Sequence, residues 1–156
     1  MALGWIFGGG LIMPLSTYGS SNGESDGVVL TPEWFKDKVR EEFGEFYDPC
    51  PHPRPKDFDG LTSDWSYTQH NYCNPPYKRG QIGKFVEKCS IEHSKGATIS
   101  LLIPSYTDTG YFHDYIYNKA NVEIRFLKGR IKFVDSKTLE LFKHQLPTPL
   151  MWVVFS

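Results

Sequence analysis

The chain has 156 residues, a net charge of -1, 40% hydrophobic residues and 15% aromatic residues. That size and apolar content suit one packed domain and exclude a disordered or multidomain chain. The near-zero charge excludes a global field for nucleic acid, so any such contact must come from local basic patches. Three cysteines, Cys50, Cys73 and Cys89, without close pairing exclude a disulfide framework and fit reduced thiols in an intracellular protein.

Residues 1–13 are mostly apolar but lack a basic leader and are too short to span a membrane. The glycine run at Gly8, Gly9 and Gly10 has no convincing strand before it and does not make a nucleotide loop. Residues 14–27 are rich in Ser, Gly and Asn and read as a linker. Residues 1–27 are therefore expected to be a flexible or partner-binding segment, contacting an assembly partner or a second copy. Residues 28–156 are expected to form the folded domain.

A helix is predicted after Thr31 and Pro32, with Thr31 as its cap and Pro32 in its first turn. Trp34, Phe35, Val39 and Phe43 fall near one face, and Gly44 stops it. A short strand over 45–48 ends at Asp48, and a proline-rich loop covers 51–55. Residues 57–65 read as turns anchored by Leu61 and Trp65. A strand over 70–73 precedes Asn74-Pro75-Pro76-Tyr77. A helix over 81–93 turns Ile82, Phe85, Val86, Cys89 and Ile91 inward, and Gly96 breaks it. A buried strand over 97–103 stops at Pro104. A helix over 109–117, a strand over 122–127, a pairing segment over 131–134 and a final strand over 150–155 follow. Residues 137–145 read equally as helix or loop. Alternating helices and strands predict an α/β sheet flanked by helices. Sites in such sheets lie at the carboxyl ends of strands, which brings Asp48, Asn74 and Pro104 to one edge.

The tetrapeptide at 74–77 carries the chemistry. Each proline fixes φ and removes a backbone donor, so neighbouring carbonyls are left without intrachain partners. Asn74 adds a side-chain acceptor and Tyr77 a flat ring. Two convergent acceptors beside a ring suit an exocyclic NH2 on a planar substrate. The plainer reading is a rigid Pro-Pro turn with Tyr77 packed on the fold. Lys78, Arg79, Lys84 and Lys88 form one basic patch, and Lys128, Arg130 and Lys132 another; each also reads as a solvated face. Cys50 and His52 lack a second ligand pair at zinc-like spacing, so no metal site is expected.

Asn74-Pro75-Pro76-Tyr77 resembles the (D/N/S)PP(Y/F/W) motif of amino-methyltransferases that use S-adenosylmethionine. Around it, Thr31-Pro32 with Phe35, Phe46-Tyr47-Asp48-Pro49-Cys50, Asp59-Gly60-Leu61 with Asp64-Trp65, and Leu101-Leu102-Ile103-Pro104 occur in order. So do Thr107-Asp108-Thr109 with Phe112-His113, residues 123–133, and Pro149-Leu150-Met151. Over roughly residues 28–155 this series resembles the phage-type, Dam-like DNA N-6-adenine methyltransferase family. The chain departs from the family at Tyr106, where Arg is usual, and at Pro51-His52-Pro53, which replaces a glycine-rich turn. Only about 25 residues separate Asp48 from Asn74, too few for two βα units. The implied fold is thus a reduced Rossmann-like class I methyltransferase sheet without a separate target-recognition domain.

The resemblance implies S-adenosylmethionine as donor and the N6 amino group of adenine in DNA as acceptor, in a phage or restriction-modification setting in the host cytoplasm. The Asn74 side-chain oxygen and the Pro75 carbonyl would accept the two amino N–H bonds. Pro76 would shape the turn, and Tyr77 would stack on a flipped base. Asp48, Asp59 and Asp64 would hold the cofactor, with Thr31 and Pro32 at its methionine moiety. Trp65 is either a stacking wall or core, and Asp108 either a ligand contact or a helix cap. Lys78, Arg79, Lys128 and Arg130 would contact DNA phosphates. Two other readings stay open: a methyltransferase acting on an RNA base or a protein glutamine amide, and a non-catalytic binding or assembly module.

Overall fold

The runs Ile99–Pro104 and Leu150–Phe155 are buried at every position, which requires cover on both faces of the strands they form. The computed structural model describes residues 28–156, and the readings made for residues 1–27 lie outside the described residues. The elements are β1 (Val29–Leu30), α1 (Glu33–Phe43), β2 (Phe46–Tyr47), β3 (His70–Cys73) and α2 (Gln81–Ser94). They continue with β4 (Ile99–Pro104), α3 (Gly110–Tyr115), β5 (Val122–Phe126), β6 (Val134–Asp135) and β7 (Leu150–Phe155). The five-stranded sheet has the order β2-β3-β4-β7-β5. Strands β2, β3 and β4 are parallel, and β7 runs antiparallel to both β4 and β5. The fold is therefore α/β with a mixed sheet. Strands β1 and β6 form a separate antiparallel pair, with Val29 opposite Asp135.

The two faces of the sheet are covered by different helices. On one face, Phe35 of α1 packs on Tyr72 and Trp152, and Phe43 stacks on His70 with ring centroids 4.0 Å apart. Arg125 of β5 lies over the Trp152 ring and forms a bidentate pair with Glu42, fastening α1 to the far edge strand. On the other face, α2 buries Ile82, Phe85, Val86 and Cys89, and α3 packs against α2. No helix among the described residues is long and apolar enough to cross a membrane.

Three local expectations are corrected. Thr31 does not cap α1: Pro32 holds the N-cap position in extended conformation, and the Thr31 hydroxyl hydrogen-bonds the Tyr72 hydroxyl at 2.8 Å. Trp34 is half exposed, because it lies one residue, about 100° of helix, off the stripe formed by Phe35 and Val39. Ile91 points outward while Glu92 is buried. The stripe set by Ile82, Phe85 and Cys89 reaches residue 92 at helical spacing, so the carboxylate is carried inward. Lys88, Lys95 and the Tyr67 hydroxyl meet it there at 2.7, 3.1 and 2.6 Å. Residues 137–145 contain no helix.

Candidate active site

The register places the chain's polar loops on one edge. β2, β3 and β4 end there, and β7 begins there with Leu150 opposite Pro104. Because β5 is antiparallel to β7, its carboxyl end after Phe126 falls on the same edge. Residues 48–61, 74–80, 105–109 and 127–149 therefore emerge together, and residues 66–69 return to the opposite edge to start β3. Backbone bonds from Ser105 to Pro149 (2.9 Å) and from Leu127 to Leu150 (3.1 Å) hold this edge closed.

Asn74 leaves β3 directly. Its Nδ2 donates to the Val29 carbonyl at 2.7 Å. A carbonyl can only accept, so the amide nitrogen must face Val29 and Oδ1 must face away. Asn74 Oδ1 is buried and has no hydrogen-bond partner among the described residues. Leaving such an acceptor unpaired costs about 1–3 kcal/mol, which a donor from a ligand would recover.

Asn74 and Pro76 line a cavity of about 420 Å³. Its other walls come from Val28, from Pro49 to His52, from Arg54 and Phe58 to Leu61, and from Gln81, Lys84 and Phe85 of α2. The loop wall is shaped by one glycine. A Cβ on Gly60 would run into the Pro49 carbonyl, so only glycine lets these two segments meet. Trp65 Nε1 donates to the Gly60 carbonyl at 2.8 Å, and the Trp65 ring is buried in the core. The Asp59 carboxylate accepts from the Leu61 N–H at 2.9 Å, closing the same turn. His52 Nε2 donates to the Ser136 carbonyl at 3.0 Å and ties the proline-rich loop to the segment after β6.

The predicted cofactor residues are not all brought together. Asp59 is on the cavity wall. Asp48 follows β2 and precedes the cavity-lining Pro49; it is half-buried and accepts from the Cys50 N–H at 2.7 Å. Burial pushes the Asp48 carboxyl up, opposed by that hydrogen bond and by Lys36. Thr31 and Pro32 are buried and outside the cavity lining, with Thr31 bonded to Tyr72. Asp64 is exposed and outside the cavity lining; its charge acts on Tyr67 and Lys95 instead.

Tyr77 also departs from its expected placement. Its ring is only 5% exposed and packs edge-on against Phe133, and its hydroxyl donates to the Leu102 carbonyl at 3.0 Å. Burial raises its pKa well above the usual phenol value. The ring surfaces on the cavity wall are instead those of Phe58 and Phe85. Sequence periodicity marks Phe85 as core, and it is both core and wall. Phe58 and Gln81 carry no signal of their own beyond lying next to Asp59 and to the Pro-Pro turn.

Lys78 and Arg79 are exposed in the turn before α2, and Lys128 and Arg130 are exposed after β5, all on the site edge. Arg130 Nε donates to the Pro147 carbonyl at 3.1 Å. Lys88, read as part of the first patch, is instead bound to buried Glu92. Among the described residues, no group of three His, Cys, Asp or Glu side chains could hold a metal.

A mixed α/β sheet with an unpaired amide oxygen and a ligand-sized cavity at its carboxyl edge is a methyltransferase-like arrangement. The family model described as DNA N-6-adenine-methyltransferase (Dam) matches residues 24–155, and the chain belongs to that family. It is a DNA adenine methyltransferase. No curated protein and no solved structure matches the chain.

Proposed function

We propose that this enzyme transfers a methyl group from S-adenosylmethionine to the N6 amino group of adenine at specific sites in DNA, using residues 28–156 as its catalytic domain. The observation that carries this reading is the buried, partnerless Oδ1 of Asn74, fixed by the bond from Nδ2 to Val29. The sheet supports it too: three parallel strands followed by an antiparallel β7 inserted beside β4 fit a class I methyltransferase sheet that has lost strands at its β2 edge.

The cavity fits the donor in size and in chemistry. About 420 Å³ lies in the range of small-ligand sites, and ring faces, prolines and a few polar groups make up its walls. Asp59 and Asp48 would face the donor's hydroxyl and ammonium groups, and Phe58 and Phe85 its apolar surfaces. When bound, the donor supplies an electrophilic methyl group on its sulfonium.

The chain's own work lies in binding and polarising the acceptor. An aromatic amino group is a poor nucleophile because its lone pair is delocalised into the ring. Asn74 Oδ1 and the Pro75 carbonyl accept its two N–H bonds and draw the nitrogen toward tetrahedral geometry. Both acceptors are fixed in advance, one by Val29 and one by the proline ring, so little reorganisation accompanies reaction. An amide does not act as a base, so the displaced proton leaves to water. Pro76 shapes the turn, and Tyr77 supports it from within the core. Lys78, Arg79, Lys128 and Arg130 hold phosphates while the base is out of the duplex.

The test is incubation of the purified chain with methyl-labelled donor and duplex DNA, RNA or a glutamine-containing peptide. Label recovered as N6-methyladenine from DNA is expected. Label confined to RNA or peptide, or failure to bind donor by calorimetry, would overturn the reading.

A further inference from the structure

A thiol on the cavity wall, Cys50, touches a buried one, Cys73, and methyl transfer uses neither. Cys50 Sγ and Cys73 Sγ are 3.6 Å apart, in contact. Cys50 follows β2, Cys73 ends β3, and these strands are hydrogen-bonded neighbours. The two thiols differ in access: Cys50 is half-buried and lines the cavity, whereas Cys73 is fully buried. Cys73 is bonded directly to Asn74, the residue whose orphaned oxygen defines the site.

We propose that Cys50 and Cys73 form an oxidant-sensitive dithiol, and that a peroxide reaching the cavity converts them to a disulfide that closes the site. The Cys50 thiolate attacks one oxygen of hydrogen peroxide, breaks the O–O bond and becomes a sulfenic acid, releasing hydroxide that is protonated to water. The Cys73 sulfur then attacks the sulfenic sulfur. An S–S bond forms, the S–O bond breaks, and the leaving hydroxide takes the Cys73 proton as a second water. Two thiols lose two electrons and two protons, and one peroxide is reduced to two waters. Cys50 lines the cavity while Cys73 is fully buried, so a peroxide in the cavity meets Cys50 first. Drawing the sulfurs from contact to bonding distance moves the carboxyl end of β3, and Asn74 with it, and narrows the cavity at Cys50.

The consequence for catalysis rests on the function proposed above, whereas formation of the bond does not. The reduced full-length chain is treated with hydrogen peroxide, capped and digested without reductant. A peptide pair linking Cys50 to Cys73 is expected, with Cys89 still capped as a free thiol. A link between Cys73 and Cys89, oxidation of Cys50 without any link, or no link at saturating peroxide would overturn the proposal. In parallel, the rate ratio after and before peroxide is measured for the parent and for Cys50→Ser. A drop of roughly a hundredfold, the scale of an ångström-level misplacement, reversed by dithiothreitol and absent in Cys50→Ser, is expected. A linked chain with unchanged rate would refute closure of the site. A linked chain that never methylates DNA in either redox state would refute the proposed function and leave the dithiol standing.

Discussion

The Asn74 amide and the Val29 carbonyl, 45 positions apart in sequence, meet at 2.7 Å. This bond converts a rotatable side chain into an oriented acceptor. Val29 is itself held by antiparallel pairing with Asp135, so β1 and β6 together set which way the Asn74 oxygen faces. The segment that enters the domain and the strand after the basic loop thus both bear on one reacting atom.

Asn74→Ala is expected to remove methylation with little change in fold. The variant loses one hydrogen bond and also an unpaired buried oxygen, so the two effects on stability partly cancel, within about 1 kcal/mol. Loss of a preorganised polar contact at a reacting centre lowers rates about 10²–10³-fold. Label transfer to DNA and thermal unfolding, measured together, separate the two. Retained transfer in a folded variant would remove Asn74 from the mechanism.

Gly60→Ala tests the cavity wall. The new methyl must displace the Pro49 backbone, and a backbone carbonyl cannot rotate away as a side chain can. Overpacking of this kind costs about 1–3 kcal/mol. The shift also falls on Cys50 and Asp59, so weaker donor binding is expected alongside the lower denaturation midpoint. Calorimetry with the donor on the folded variant checks the binding half; unchanged affinity would show that the Pro49 and Gly60 contact does not shape the donor site.

Much of the site is visible in the sequence because its parts are local. Asn74 to Tyr77 is a contiguous motif after a short strand, β7 occupies the apolar run at 150–155, and β4 takes up most of the run at 97–103. Glu92 was hidden because a charged side chain in an inward stripe contradicts the pattern that finds the stripe. Local ion pairs with Lys88 and Lys95, one helical turn away on either side, and a tertiary bond from the Tyr67 hydroxyl make it tolerable. The Asn74 bond to Val29 and the Cys50 contact with Cys73 were hidden for a different reason. They depend on which strands become neighbours, and that order is not written in any local spacing.

Tyr77→Phe distinguishes a core tyrosine from a stacking one. Removing the hydroxyl leaves the Leu102 carbonyl without this buried donor. A loss of about 1–2 kcal/mol in unfolding free energy is expected, with the ring packing on Phe133 intact. Because the ring is retained, a stacking role alone would leave stability unchanged. Urea denaturation of the parent and the variant decides between them.

Acid should unfold the domain in two windows. His70 is buried, stacked on Phe43 and bonded to the Thr98 and Ser100 hydroxyls. Burial lowers its pKa from 6.5 to about 4, with Glu42 opposing. Its folded pKa lies below its unfolded one, so its contribution is complete above 6.5 and is lost as pH falls toward 4. Burial also disfavours the Glu92 carboxylate, but hydrogen bonds from Lys88, Tyr67 and Lys95 outweigh it and hold its pKa at about 2. Its contribution, about 3 kcal/mol from the size of the shift, is complete above 4.5 and falls away toward 2. His70→Gln should therefore flatten the stability profile between pH 6.5 and 4, and Glu92→Gln the profile below 4.5. Glu92→Gln should also lower stability at neutral pH, because it leaves Lys88 facing a buried neutral amide. Denaturant midpoints of the three proteins across pH 3–7.5 check the assignment. A parent profile with no slope between 6.5 and 4 would mean that His70 titrates alike in the folded and unfolded chain.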